Sequence, residues 1–406
     1  MRGRIDGRWQ ALEAVTDPRD ARGVRYPLPL PLILALLAAT AGAKTFLEAA
    51  EHAADLPVWL LTELGVCSWA GTPSVRTFGR VLSRVDDDEL DQAFSGWMFT
   101  DSEPAAAFAI DGKTMRAATT GQAGMPQTQV VAAMNSRGEV LGQTTVDAGD
   151  ENTAARDSIT RMGRKALAGT VITADAKHTS IAFITEAEKI GAFWQLPIEG
   201  NRPATYQRLK TLPWNQVRTD THGRSRGHGR AKTRSLKVLV LDNDLRPELL
   251  GARQAIRIRR WRRPKGKPAS VETVHYLTNL PPDAADADDL AKLIRGHWGI
   301  EGRLHPVRDV AFNEDRHRAR TGNAPQNLAD RRNAATTLHR QNGATRIQPA
   351  LRAANRRPER LLHLLPETTY TGTGQLCTRP APAPIAKITR KPSCEGKAVD
   401  ATVMVS

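Results

Sequence analysis

Two aspartates stand where a carboxylate is costly. Asp111 closes the run AFAID and Asp175 closes TVITAD, each an apolar β-type segment. A carboxylate at the end of a buried strand must be paired, hydrogen-bonded or bound to a cation. Two of them on neighbouring strands would repel, and a divalent metal with a preference for oxygen, Mg²⁺ or Mn²⁺, would relieve that repulsion. The bland alternative is that each Asp caps the turn that follows it. A third group, His297, Glu301 and His305, falls at i, i+4 and i+8 and shares one face of a helix. That face suits a metal, or simply solvent. Spacing alone leaves both pairs of readings open.

The elements that must position these residues divide the chain. Residues 1–98 read as an all-α region, with apolar-rich helices at about 29–42, 45–55, 57–65, 75–84 and 88–98. The 75–84 segment places Val75, Phe78, Val81 and Leu82 on one face and Arg76, Arg80 and Arg84 on the other. It fits either a DNA-binding helix-turn-helix or a plain bundle helix. From about residue 105 to 365 a mixed α/β core is expected: strand 105–111, a hairpin around Asn135–Gly138, strand 170–175, a helix, then strand 192–198. Residues 201–280 are alternating, basic and broken by Gly and Pro. They read as antiparallel ribbons separate from that core. Residues 366–406 have no periodicity and read as a disordered tail.

Composition narrows the partners. The 406 residues carry 58 Lys and Arg against 43 Asp and Glu, a net charge of +15. That excess favours a polyanion, nucleic acid before an anionic membrane. The densest patch is RIRRWRR, residues 257–263, where Trp261 stands among arginines and suits a DNA contact. Three cysteines without a CxxC pair argue against a disulfide framework or a structural zinc. The longest apolar stretch, 27–43, opens with three prolines, is short for a membrane span and starts too late for a signal peptide. A cytoplasmic protein, associated with the nucleoid when DNA-bound and with no membrane partner, is the expectation.

The strings AIDGKTMR, VITADAKHT, HYLTNLPPD and IRGHWGIEGRLHPVRDVAFNEDRHRARTGNAPQNLADRRNAA occur in that order. Together they resemble a bacterial insertion-sequence DDE transposase of the ISAs-type group, and DPRDARGVRYPLPLPLILALLAATAGAKTFLEAAEHAADLP resembles the helical domain associated with it. The resemblance covers about residues 10–365. It implies a ribonuclease-H-like core with a β-rich insertion, preceded by an all-α DNA-binding domain. It also implies a catalytic, metal-holding triad of Asp111, Asp175 and Glu301 with two Mg²⁺ or Mn²⁺ ions. Lys113, Arg116, His178, His228, Arg230, His297 and Arg308 are implied as DNA-contacting positions. The implied partners are double-stranded DNA, as terminal inverted repeats and target, and a second copy of the chain in the synaptic complex. The chain departs from the group's pattern at Glu199, Lys232, Gly302 and Pro306. Two readings follow: an active transposase, or a decayed or repurposed copy that binds DNA without transposing.

Overall fold

The computed structural model describes residues 3–66, 71–100, 102, 105–116, 128–146, 150–227, 230–266 and 268–364. The expected tail from 366, and the three cysteines, lie outside the described residues. The first hundred residues form α1 (Gly3–Glu13), α2 (Pro29–Thr40), α3 (Phe46–Asp55), α4 (Val58–Glu63), α5 (Val75–Arg84) and α6 (Asp87–Thr100). All twelve residues of α2 are buried. A helix apolar all round belongs at a centre, and Pro29 and Pro31 are tolerated because first-turn N–H groups have no intrahelical partner. Helix α5 forms with its apolar face inward, as both of its alternative readings require. Phe78, Val81 and Leu82 are buried, and the helix packs against α2 and α3.

The core follows as β1 (Ala107–Thr114), β2 (Gln129–Asn135), β3 (Val140–Thr145), α7 (Glu151–Leu167), β4 (Val171–Ala174), α8 (Ile181–Ile190) and β5 (Phe193–Ile198). The hairpin turns where expected, with Gly138 at φ 86°. Next come α9 (Pro203–Thr211), β6 (Thr221–Gly227), β7 (Arg230–Val240), β8 (Gln254–Pro264), β9 (Ser270–Thr278) and α10 (Ala287–Arg303). The strand order is β3-β2-β1-β4-β5-β9-β8-β7-β6, with β1, β4 and β5 parallel and the rest antiparallel. This corrects one expectation. The basic strands are antiparallel, but they prolong the core sheet instead of standing apart from it. The seam is β5–β9, tied by Thr278 Oγ1 donating to the Trp194 carbonyl (2.7 Å) and Trp194 N–H donating to Asn279 Oδ1 (2.8 Å).

Helices α11 (Ala324–Gln341), α12 (Ile347–Arg356) and α13 (Glu359–His363) close the described chain. Helix α11 is buried from Ala324 to His339 apart from Gln326, although it carries Asp330, Arg331, Arg332 and Asn333. It packs against α2, α5, α6 and β3, joining the first helices to the sheet. At its start Gly322 (φ 52°) lies so close to the end of α5 that a Cβ would meet the Ser83 carbonyl oxygen at 2.2 Å. Asn327 Nδ2 then donates to the carbonyls of Leu82 (2.9 Å) and Val85 (2.8 Å), which α5 leaves without helical donors.

Candidate active site

Alternation along the strands decides where the aspartates point. On β1, Phe108 and Ile110 enter the core under the first helices, α7 and α8, while Ala107 and Ala109 face α10. Asp111 shares the parity of the second set. On β4, Ile172 and Ala174 take the first face, and Val171 and Thr173 take the α10 face. Asp175, just past the strand, continues that set. The parallel register pairs Ala109 with Thr173 and Ile110 with Ala174. Extended by one residue, it sets Asp111 beside Asp175 on the face that α10 covers. Asp175 is also a cap: its Oδ1 accepts from the N–H groups of Lys177 (2.7 Å) and His178 (3.3 Å). The capping and site readings therefore coexist.

Helix α10 brings the third carboxylate. Asp286 caps its start, accepting from Asp289 N–H (2.8 Å). Leu290, Ala291 and Ile294 pack on β7–β9, and Ile300 and Leu304 pack on β1–β3. Glu301, exposed, follows Ile300. The three carboxylates act on one another electrostatically. Burial first, then the charges of Asp175 and Glu301, push the Asp111 carboxyl up to about 7. Such a set suits a hard divalent cation, which would replace mutual repulsion with shared attraction. Among the described residues, no three His, Cys, Asp or Glu side chains stand in ligating geometry.

Pro306 lies immediately beyond. It has no N–H to offer the turn behind it, and the chain widens into a π-turn over Val307–Ala311, where Phe312 N–H donates five residues back to Val307 (3.2 Å). The helical path thus continues past proline. His305 Nε2 is 3.9 Å from Asp111 Oδ2, and burial, Arg308 and Lys113 hold this imidazole down to about 4. The sequence placed His305 on the Glu301 face, a face suited to a metal or to solvent, and the structure sets its ring beside Asp111.

The residues expected at DNA divide. Arg116 is exposed, with Asp315 3.6 Å away. Lys113 is nearly buried and pairs with Asp309 at 2.7 Å. His297 is mostly buried against Thr173 (Nδ1 to Oγ1, 3.3 Å), and burial lowers it to about 4. His178 has no exposed surface, which removes it from direct DNA contact. Arg308 is likewise wholly buried, its guanidinium on Glu314 (Nε to both carboxylate oxygens, 2.9 Å). It is a strut of the core instead of a phosphate ligand. His228 lies outside the described residues, and of Arg230 only the first position of β7 is described.

A groove that the sequence left unassembled lies along α10. Arg234, Arg260 and Arg262 from β7 and β8 meet Arg295 and Trp298 over a floor of Leu236, Ile258, Ala291 and Ile294, enclosing about 340 Å³. The Arg260 guanidinium sits 5.6 Å from the Trp298 ring centre, and that ring is half exposed. Burial, then Arg260, Arg262 and Arg295, lower the Arg234 guanidinium, the mark of crowded positive charge. Period-2 alternation sends Trp261 to the opposite face, so the tryptophan of this groove is Trp298.

The model of the transposase DDE domain matches residues 103–338, and that of the DDE_Tnp_1-associated domain matches residues 9–98. Two relatives bear the names of transposases. YncI of Escherichia coli O157:H7 is 27% identical over 347 residues, covering 81% of this chain and 86% of YncI. The H repeat-associated YhhI of Escherichia coli K12 is 25% identical over 342 residues, covering 80% and 88%. Among solved structures, the piggyBac transposase synaptic complex with hairpin DNA aligns with a TM-score of 0.42 at 12% identity, over 94% of this chain and 88% of that one. The family match extends over more than half of the chain and contains Asp111, Asp175 and Glu301: the chain belongs to the bacterial insertion-sequence DDE transposases.

Proposed function

We propose that this protein cuts and joins the ends of its own insertion sequence, one protomer at each end, with Asp111, Asp175 and Glu301 as the catalytic carboxylates. The observation that carries this is the pairing of Asp111 with Asp175 on the α10 face, with Glu301 close enough to raise the Asp111 carboxyl. The three would hold two divalent cations, Mg²⁺ or Mn²⁺, which stabilise the attacking and leaving oxygens of an in-line displacement at phosphorus. The arginine groove and Arg116 hold the DNA backbone. The neutral imidazoles of His297 and His305 line the carboxylates without adding charge.

The test is a supercoiled plasmid carrying the DNA that flanks this reading frame on both sides, incubated with protein in Mg²⁺, Mn²⁺ or EDTA. Nicking at the element ends that requires metal is expected. Binding at the ends without nicking in either metal overturns the catalytic part and leaves a DNA-binding copy. Random nicking that survives EDTA overturns the site.

The groove makes a separate prediction. Affinity for end DNA falls steeply between about 50 and 200 mM salt, and Arg234→Ala and Arg262→Ala each reduce the slope of log K on log salt by about one. Trp298→Ala, an uncharged loss, costs about 1–2 kcal/mol and leaves the slope unchanged. Fluorescence anisotropy over a salt series checks both. A flat salt response would remove the groove from the DNA path.

A further inference from the structure

Behind the aspartate pair, on the opposite face of the sheet, stands a carboxylate that the motifs did not single out. Glu151 is the first residue of α7, after the cap Asp150, whose Oδ1 accepts from Thr153 N–H (3.0 Å). Its side chain is 11% exposed. One oxygen lies 3.2 Å from His178 Nε2, and the other accepts from Lys177 Nζ. His178 is fully buried, and its Nε2 is also 4.0 Å from Asp175 Oδ1. These are the two residues whose backbone N–H groups hold Asp175.

The same carboxylate presses on β1. A Cβ on Gly112 would lie 2.2 Å from Glu151 Oε1 and 2.5 Å from its Cδ. Gly112 has no side chain because Glu151 occupies that space, and its N–H donates to Asp111 Oδ1 (2.9 Å). Glu151 therefore touches the backbone neighbour of one aspartate and both capping residues of the other. Period-2 alternation makes this possible, since Gly112 and Asp111 face opposite sides.

Resting on the active-site reading above, we propose that Glu151 is a positioning residue of the catalytic centre. Through His178 and Lys177 it fixes the turn that carries Asp175, and through Gly112 it fixes the strand end that carries Asp111. The two carboxylates thereby keep one mutual spacing for a divalent ion. Outer partners of ligating carboxylates commonly change metal affinity or activity by about 10–100-fold when removed.

The test uses the full chain. Mn²⁺ affinity is measured without DNA by electron paramagnetic resonance, and nicking is followed in parallel as kcat and KM for end DNA. Glu151→Gln is expected to weaken Mn²⁺ binding by about tenfold and lower kcat by a similar factor, with KM for DNA unchanged. Gly112→Ala, which displaces Glu151 from in front, gives the same defect, and the double variant is no worse than either single one. Lys177→Met, at a half-exposed position, moves Mn²⁺ affinity in the same direction by a smaller factor. Wild-type Mn²⁺ affinity and kcat in folded Glu151→Gln overturn the proposal, as does full additivity of Glu151→Gln with Gly112→Ala. A wild-type chain that binds Mn²⁺ but never nicks overturns the transposase activity instead, and the metal titration still decides the role of Glu151.

Discussion

Glu314→Gln is expected to destabilise the fold by about 3–5 kcal/mol, a large share of the roughly 5–15 kcal/mol typical of a folded protein. Glu314 is 3% exposed and is the shared counter-ion of two buried arginines: Arg308, and Arg332, whose Nη1 lies 3.0 Å from it. Both guanidiniums are essentially without solvent, and Arg331 beside them is too. Glutamine keeps the shape and removes the carboxylate charge with which both are directly paired. Arg308 and Arg332, and after them Lys113, hold the Glu314 carboxyl down to about 2 against its burial. The sign follows from that depression: its contribution is complete above about pH 5 and disappears as pH falls through about 2. Urea unfolding of both proteins at pH 7 checks the magnitude. A loss below about 1 kcal/mol would mean that water or rearrangement compensates the arginines. An Arg332→Met background should shrink the effect, because one fewer cation is left unpaired.

Asp111→Asn should have two opposite effects in one protein. End-specific nicking falls by about 10³-fold or more, as when other single members of a catalytic unit are removed, and Asp175→Ala does the same. Stability rises. The wild-type carboxyl titrates near 7 in the fold, so the stability linked to its protonation is present at acid pH and is lost as pH rises toward and past 7. The shift corresponds to about 4 kcal/mol, and asparagine avoids it. In EDTA at pH 8 the variant should melt several degrees above wild type, with the gap closing near pH 4. Adding Mg²⁺ should raise the wild-type melting temperature and leave the variant where it was. Equal melting curves at pH 8 would mean that Asp111 is not held against its neighbours' charge.

The two aspartates were legible in the sequence because their signal is local: an apolar run, then a carboxylate. The mixed core and the helices before it were legible for the same reason. Their adjacency needed the β1–β4 register, which no local pattern encodes. The seam between β5 and β9 was illegible too. Gly- and Pro-rich breaks around the basic strands suggested independent ribbons, and nothing short of the Gln195–Thr278 pairing reveals a shared sheet. Arg308 and α11 misled through composition. A polar, basic segment normally faces water, yet Gln143 Oε1 accepts from Arg308 (3.2 Å) and Asn333 (2.9 Å) while its amide donates to Asp330 (2.6 Å). The polarity of α11 serves contacts inside the protein. Glu151 had only one clue, an acidic residue opening a helix, which ordinarily does no more than suit the helix dipole.

Helix α10 crosses the sheet as a diagonal brace, about 25 Å long for its seventeen residues. One half lies on the added strands and the other on the strands bearing the aspartates, and the sheet itself joins the same two regions through β5 and β9. A frame tied along its span and across its diagonal cannot fold at the seam without sliding the brace. Trp298 and Glu301 are three residues apart on it, about 4.5 Å along the axis. A shift of that rod at the arginine strands would carry Glu301 with it.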